Sequence, residues 1–179
     1  MTGALDPSTA GGGSRVWFAG HSLGAAVATL AAARWHLRAP ERPKTLYTFA
    51  PPRVGDAAFA AVCEEGFPVF RYVHDRDMVA RVPPTVDPLG LTYRDIGREP
   101  VYFRDDGSPA PATDFLTELR RAAPDAALKA ARMVLSGKAF AAFRGGWRAI
   151  AEALAEGAPQ ALVDHAPIYY INYFKAQLA

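Results

Sequence analysis

Apolar residues run without a break through Val16-Trp17-Phe18-Ala19, the pattern of a parallel strand covered on both faces. After a glycine-punctuated turn, residues 25–38 are alanine-rich and predict a helix. Pro40 and Pro43 bracket a loop, and residues 44–50, Lys-Thr-Leu-Tyr-Thr-Phe-Ala, form a β-rich run that stops at Pro51-Pro52. Gly55-Asp56 opens a short helix over residues 57–65 with Asp56 as its N-cap, and residues 68–73 read as a third strand. Strand, helix, strand, helix, strand is the order of a parallel sheet with right-handed crossovers. Prolines and glycines crowd residues 83–111, where 91–94 and 101–104 look like short strands of a hairpin or a sheet extension. From residue 113 onward the pattern is mostly helical, with breaks near Pro124, Ser136-Gly137, Gly145-Gly146 and residues 157–159.

The turn after the first strand carries the chemistry. Gly20-His21-Ser22-Leu23-Gly24 is a G-x-S-x-G elbow between a strand and a helix, which holds a serine in a strained backbone conformation with its hydroxyl exposed. The two glycines are expected to let the helix pass close to the strand. The helix start directs backbone N–H groups at the place where an ester oxyanion would form, with the Leu23 N–H as the expected donor. An α/β-hydrolase sheet has several strands before its elbow, whereas residues 1–14 read as a Gly-, Ser- and Thr-rich flexible leader. The expectation is therefore a single partial domain over residues 15–179, truncated on its N-terminal side.

Composition narrows the classes. A chain of 179 residues, half of them hydrophobic, can bury one core. The net charge of +2 argues against a dedicated nucleic-acid binder, and no apolar run is long enough for a transmembrane helix. The lone Cys63 excludes an internal disulfide and reads as a buried bystander on a helix. Residues 1–14 lack the charged and apolar regions of a signal peptide, and the compartment stays open. No metal or organic cofactor is called for.

A serine needs a general base and an acid that orients it. Of the four histidines, His21 is expected to project away from Ser22 at the turn, His36 lies in the helix about four turns on, and His74 ends the third strand, the usual place of the acid. That leaves His165, in a loop before the last helix. For the acid, Asp75 and Asp77 both follow the third strand, at the sheet edge where sites of open α/β sheets form. The apolar pair after Asp77 favours it, while Asp75 beside Arg76 reads as a surface turn residue. Asp164, adjacent to His165, is a poor orienter.

These residues resemble the class 3 lipases, the fungal-type branch of α/β hydrolases. Gly20-His21-Ser22-Leu23-Gly24-Ala25-Ala26 is similar to the family's G-H-S-L-G-G-A, and residues 47–56 to its Y-T-F-G-x-P-R-V-G-[ND]. Residues 71–84 resemble R-x-V-N-x-x-D-x-V-P-x-x-P-P, which places the triad acid on Asp77; residues 162–165 with Tyr169 and Tyr170 resemble L-x-D-H-x-x-Y, which places the base on His165. His74 stands where asparagine is usual, and Ala80 replaces a proline. The resemblance implies an α/β-hydrolase-like, mostly parallel sheet with covering helices, and a catalytic set of Ser22, Asp77 and His165 with Leu23 in the oxyanion hole and His21 as a candidate substrate contact. Family members carry a second oxyanion donor and a helical lid upstream of the elbow, and neither is located in this sequence.

Residues 113–158 are a helical insertion by the same resemblance. Between Glu118 and Arg148 seven basic residues face two acidic ones, and Phe140, Phe143, Trp147 and Ile150 recur at helical spacing. Such a stripe suits a helix packed on the core with a solvated basic face, or peripheral contact with a lipid surface. The implied activity is carboxylic ester hydrolysis on acylglycerols or related lipid or small esters. A non-catalytic remnant of the domain, or a related serine thioesterase or acyltransferase, stands beside it.

Overall fold

The computed structural model describes residues 15–75, 77–83, 85, 91–112 and 164–178. Its elements are β1 (Val16–His21), α1 (Leu23–Arg38), β2 (Lys44–Phe49), α2 (Ala57–Gly66), β3 (Val69–His74), a 3-10 turn (Val79–Arg81), β4 (Val101–Phe103) and α3 (Pro167–Gln177). The strands make one parallel sheet in the order β1-β2-β3-β4. The segment 113–158, with its basic charge and aromatic stripe, lies outside the described residues.

Local chemistry sets the element ends. The Asp56 side chain accepts a hydrogen bond from the Phe59 N–H at 2.9 Å, capping α2 as its position before the helix predicts. At the other end of α1, the buried Lys44 ammonium donates to the carbonyls of Ala39 and Pro40 at 3.0 Å each, a cation placed on the negative end of the helix. Strand and helix boundaries fall within one to three residues of the expected ones: β1 extends to His21, α1 begins at Leu23 and β3 ends at His74. Of the two short strands expected between 83 and 111, Val101–Phe103 joins the sheet beside β3, whereas Arg94 makes only an isolated antiparallel bridge to Gly55.

Strand residues alternate between two faces. The register pairs Phe18 with Leu46 and Leu46 with Val69, and this face packs under α1 and α2 in a core of Phe18, Ala32, Trp35, Leu46, Cys63 and Phe67. Cys63 is fully buried there, and burial pushes its thiol up to about 11. The opposite face meets α3: Phe103 and Tyr170 are buried, with Phe49, Tyr72 and Tyr173 against them. The reading of β1 as a strand covered on both faces differs from the structure. Among the described residues β1 pairs only with β2, and Trp17, whose side chain lies on the α3 face, is 63% exposed and stacks on Tyr47. A continuous apolar run records a strand that suits burial; it does not say which neighbours are at hand.

Candidate active site

Ser22 sits between the end of β1 and the first residue of α1 with φ 57° and ψ −128°. A non-glycine residue there costs of order 1–3 kcal/mol, sustained only when its surroundings fix it. Here they do. The Ser22 N–H donates to the Phe49 carbonyl at 2.9 Å, prolonging the ladder with β2, while the Ser22 carbonyl accepts from the N–H groups of Ala25 at 2.9 Å and Ala26 at 3.3 Å. Strand and helix thus meet on one residue, which is 4% exposed, whereas the elbow pattern predicts an exposed serine.

The glycines on either side do unequal things. A Cβ placed on Gly20 would lie 2.3 Å from the Gly24 carbonyl oxygen and 2.6 Å from the Ala25 nitrogen, so Gly20 is required for the close passage of α1 over β1. A Cβ on Gly24 meets nothing within 4 Å. The expectation that both glycines serve this packing is corrected: the backbone of Gly24 is the surface that Gly20 must clear.

Asp77 follows β3 and is fully buried. Its carboxylate lies 3.0 and 3.1 Å from Nδ1 of His165, accepts the Val79 N–H at 2.9 Å through Oδ1, and accepts the Tyr170 hydroxyl at 2.7 Å through Oδ2. Of the two candidate acids, the structure brings Asp77 and not Asp75 to the histidine; the Asp75 N–H donates to the Phe103 carbonyl at 2.6 Å beside β4. Because a carboxylate only accepts, Nδ1 of His165 carries the proton. Asp164 is buried next in sequence, but the carboxylate on the His165 ring is that of Asp77.

The other histidines take separate places. His36 lies on α1 with Nδ1 3.2 Å from the Lys44 ammonium. His74 pairs with Asp105 through Nε2 at 2.9 Å and stacks on Tyr169 at 4.5 Å. His21 places Nε2 2.9 Å from the His165 carbonyl. Leu23 is the first residue of α1, where backbone N–H groups have no partner within the helix, and its side chain is exposed.

Residue-by-residue reading missed Tyr170. Its hydroxyl accepts the His74 N–H at 3.0 Å and donates to Asp77, so it spans from β3 to the carboxylate. Burial and the charge of Asp77 hold its pKa well above the ordinary range, which keeps it a donor. The tyrosine belongs to the closing motif, yet a motif letter does not say what its hydroxyl touches. Also missed was the tether of the loop carrying Asp77. Arg71 donates to the Ala80 carbonyl at 2.8 Å, Arg81 to the Asp75 carbonyl at 2.7 Å, and Arg53 to the carbonyls of Pro83, at 2.8 Å, and Arg81. Asp95 Oδ1 lies 3.0 Å from both Arg53 and Arg71 and joins the two guanidinium groups. Among the described residues, no group of three or more His, Cys, Asp or Glu is placed to hold a metal ion, and no helix is long and apolar enough to cross a membrane.

An oriented imidazole whose Nδ1–H is held by a buried carboxylate, on the same sheet edge as a strained serine, has the parts needed to move a proton from a hydroxyl nucleophile. Residues 7–87 match the family Lipase (class 3). The chain is 44% identical over 89 residues to the secreted mono- and diacylglycerol lipase 1 of Fusarium solani, a stretch covering 49% of this chain and 24% of that one. It is 39% identical over 99 residues to the lipase of Rhizomucor miehei, covering 53% of this chain and 26% of that one. Against the crystal structure of a mono- and diacylglycerol lipase from Aspergillus oryzae the TM-score is 0.43 at 32% identity, over 56% of this chain and 34% of the other. The chain spans about a quarter of the length of the curated relatives it matches.

Proposed function

We propose that this chain, whose residues 7–87 match the class 3 lipase family, is a serine carboxylic ester hydrolase acting on lipid esters of the acylglycerol class. The observation that carries this reading is the fully buried Asp77 held on Nδ1 of His165, with Ser22 in the strained turn on the same sheet edge. The Ser22 hydroxyl attacks the ester carbonyl as its proton passes to Nε2 of His165, and a tetrahedral oxyanion forms. Asp77 stabilises the resulting imidazolium, and the Leu23 N–H donates to the oxyanion. The carbon–oxygen bond to the alcohol then breaks, with the alcohol oxygen taking the proton from His165. Water, deprotonated by the same nitrogen, attacks the acyl-serine and releases the fatty acid.

Substrate class comes from the relatives, which are mono- and diacylglycerol lipases and lipases by name. The test is hydrolysis of p-nitrophenyl butyrate and of a monoacylglycerol emulsion by this chain and by Ser22→Ala. Removing the nucleophile of such a unit costs about 10^6-fold in kcat, so turnover by the variant should fall to background on both substrates. Equal turnover by both proteins would overturn the assignment.

A further inference from the structure

Resting on the hydrolase reading above, we propose that His21 is a positioning residue for the base, its ring holding the backbone carbonyl of His165 and lying tilted against the His165 imidazole. His21 ends β1 opposite Phe49, with its side chain on the sheet face that α3 covers. Its Nε2 lies 2.9 Å from the His165 carbonyl. A carbonyl only accepts, so Nε2 of His21 carries a proton. The two imidazole rings are 4.7 Å apart and 34° from parallel, and Tyr170 meets His21 edge-on at 5.4 Å.

The need for such a hold follows from where His165 sits. It lies in the turn before Pro167, outside any helix or strand. Its ring is gripped at Nδ1 by Asp77. One grip on the ring still lets the imidazole pivot when the turn shifts, and Nε2 then swings by more than the shift itself. A second grip on the carbonyl of the same residue, from a rigid strand end, removes that freedom. The residue providing it is covalently next to Ser22, so the base is indexed to the nucleophile.

Charge adds a requirement. When His165 takes the serine proton it becomes a cation whose ring centre lies 4.7 Å from that of His21, and a charged His21 would oppose it. Among the described residues, the groups facing His21 are His165, Asp77 and Tyr170. Its hydrogen bond to the His165 carbonyl and, after it, the charge of Asp77 favour the charged form of His21, but burial and then His165 outweigh them and lower the His21 pKa. The neutral form of His21 is thereby favoured.

His21→Phe keeps a ring and removes the donor, whereas His21→Gln keeps an N–H at similar reach. Three readouts are compared with the native chain: the rate of fluorophosphonate labelling at Ser22, kcat and KM for p-nitrophenyl butyrate, and the low-field proton resonance of His165 Nδ1–H. The Phe variant should label and turn over at least about tenfold more slowly, since small misplacements cost that much, with KM unchanged and the resonance broadened. The Gln variant should recover labelling to within about threefold and keep a sharp resonance. Far-UV circular dichroism checks folding; if the Phe variant unfolds, His21→Asn, too short to reach the carbonyl, replaces it. A raised KM with kcat intact would make His21 a substrate contact and overturn the proposal, as would a variant lacking the donor that matches native rate and resonance, or a Gln variant as slow as Phe. The resonance needs no turnover. A native chain with a sharp resonance and no labelling would sink the hydrolase reading alone.

Discussion

Adding a single methyl group at Gly20 tests the packing on which the serine turn depends. The new Cβ would stand 2.3 Å from the Gly24 carbonyl oxygen, 2.4 Å from its carbon and 2.6 Å from the Ala25 nitrogen. Ordinary contact is about 3.5 Å, so strand and helix must part by about 1 Å. All three atoms are backbone, and no side chain can turn aside. Overpacking costs about 1–3 kcal/mol, and the upper end applies where nothing yields. With a urea slope of about 2 kcal/mol per molar, a loss of about 3 kcal/mol lowers the unfolding midpoint by about 1.5 M. Gly24→Ala is the matched control. Its Cβ meets nothing within 4 Å; Gly24 is the second residue of α1, where replacing glycine by alanine gains no more than the helix-interior figure of about 1 kcal/mol, so the midpoint should rise by at most about 0.5 M. Opposite shifts in urea titrations of the two variants support the geometry of the turn. A Gly20→Ala chain as stable as the native one would refute it.

Asp95→Asn removes the carboxylate between Arg53 and Arg71; because Asp95 itself reaches solvent, the loss should be about 2 kcal/mol, below the full cost of stranding buried charges, read as a lower urea midpoint. Tyr170→Phe deletes the hydroxyl that donates to Asp77, and the loss of a hydrogen bond to a charged group, about 1.5–3 kcal/mol, should appear in stability together with slower labelling of Ser22. The lowered pKa of His21 has a signed consequence. Its unfolded value lies near 6.5, so the folded chain binds the proton less readily than the unfolded one, and the stability present above that pH is lost as pH falls through the folded pKa. Urea midpoints at pH 7.5 and pH 5 should therefore differ more for the native chain than for His21→Gln; equal pH dependence in the two would refute the shift.

Much of the fold was legible because its signals are local. The β-rich run before Pro51, the N-cap at Asp56 and the alanine-rich stretch before Arg38 each mark an element, and the structure ends those elements within a few residues of the marks. Parallel pairing followed from helices alternating with strands. Long-range geometry was less legible. Spacing alone left Asp75 and Asp77 both open, since two residues of one loop differ only in what they face after folding. The identical-looking glycines at 20 and 24 divide the same way: one lies under a helix backbone and the other faces open space. Arg53, Arg71 and Arg81 stand among the motif residues without any catalytic pattern, because their task is to hold carbonyls of a loop distant in sequence. The hydroxyl of Tyr170 reaches Asp77 across 93 positions, which no periodicity encodes.

The central claim is that this chain arms Ser22 through His165 and Asp77. Its most direct test is fluorophosphonate labelling of the native chain, followed by peptide mapping, beside Ser22→Ala and Asp77→Asn. The account predicts one adduct on Ser22, none in Ser22→Ala, and labelling slowed by about 10^4-fold in Asp77→Asn, where the imidazole loses its orienting carboxylate. A folded native chain that takes up no label, or an adduct on another residue, would contradict it.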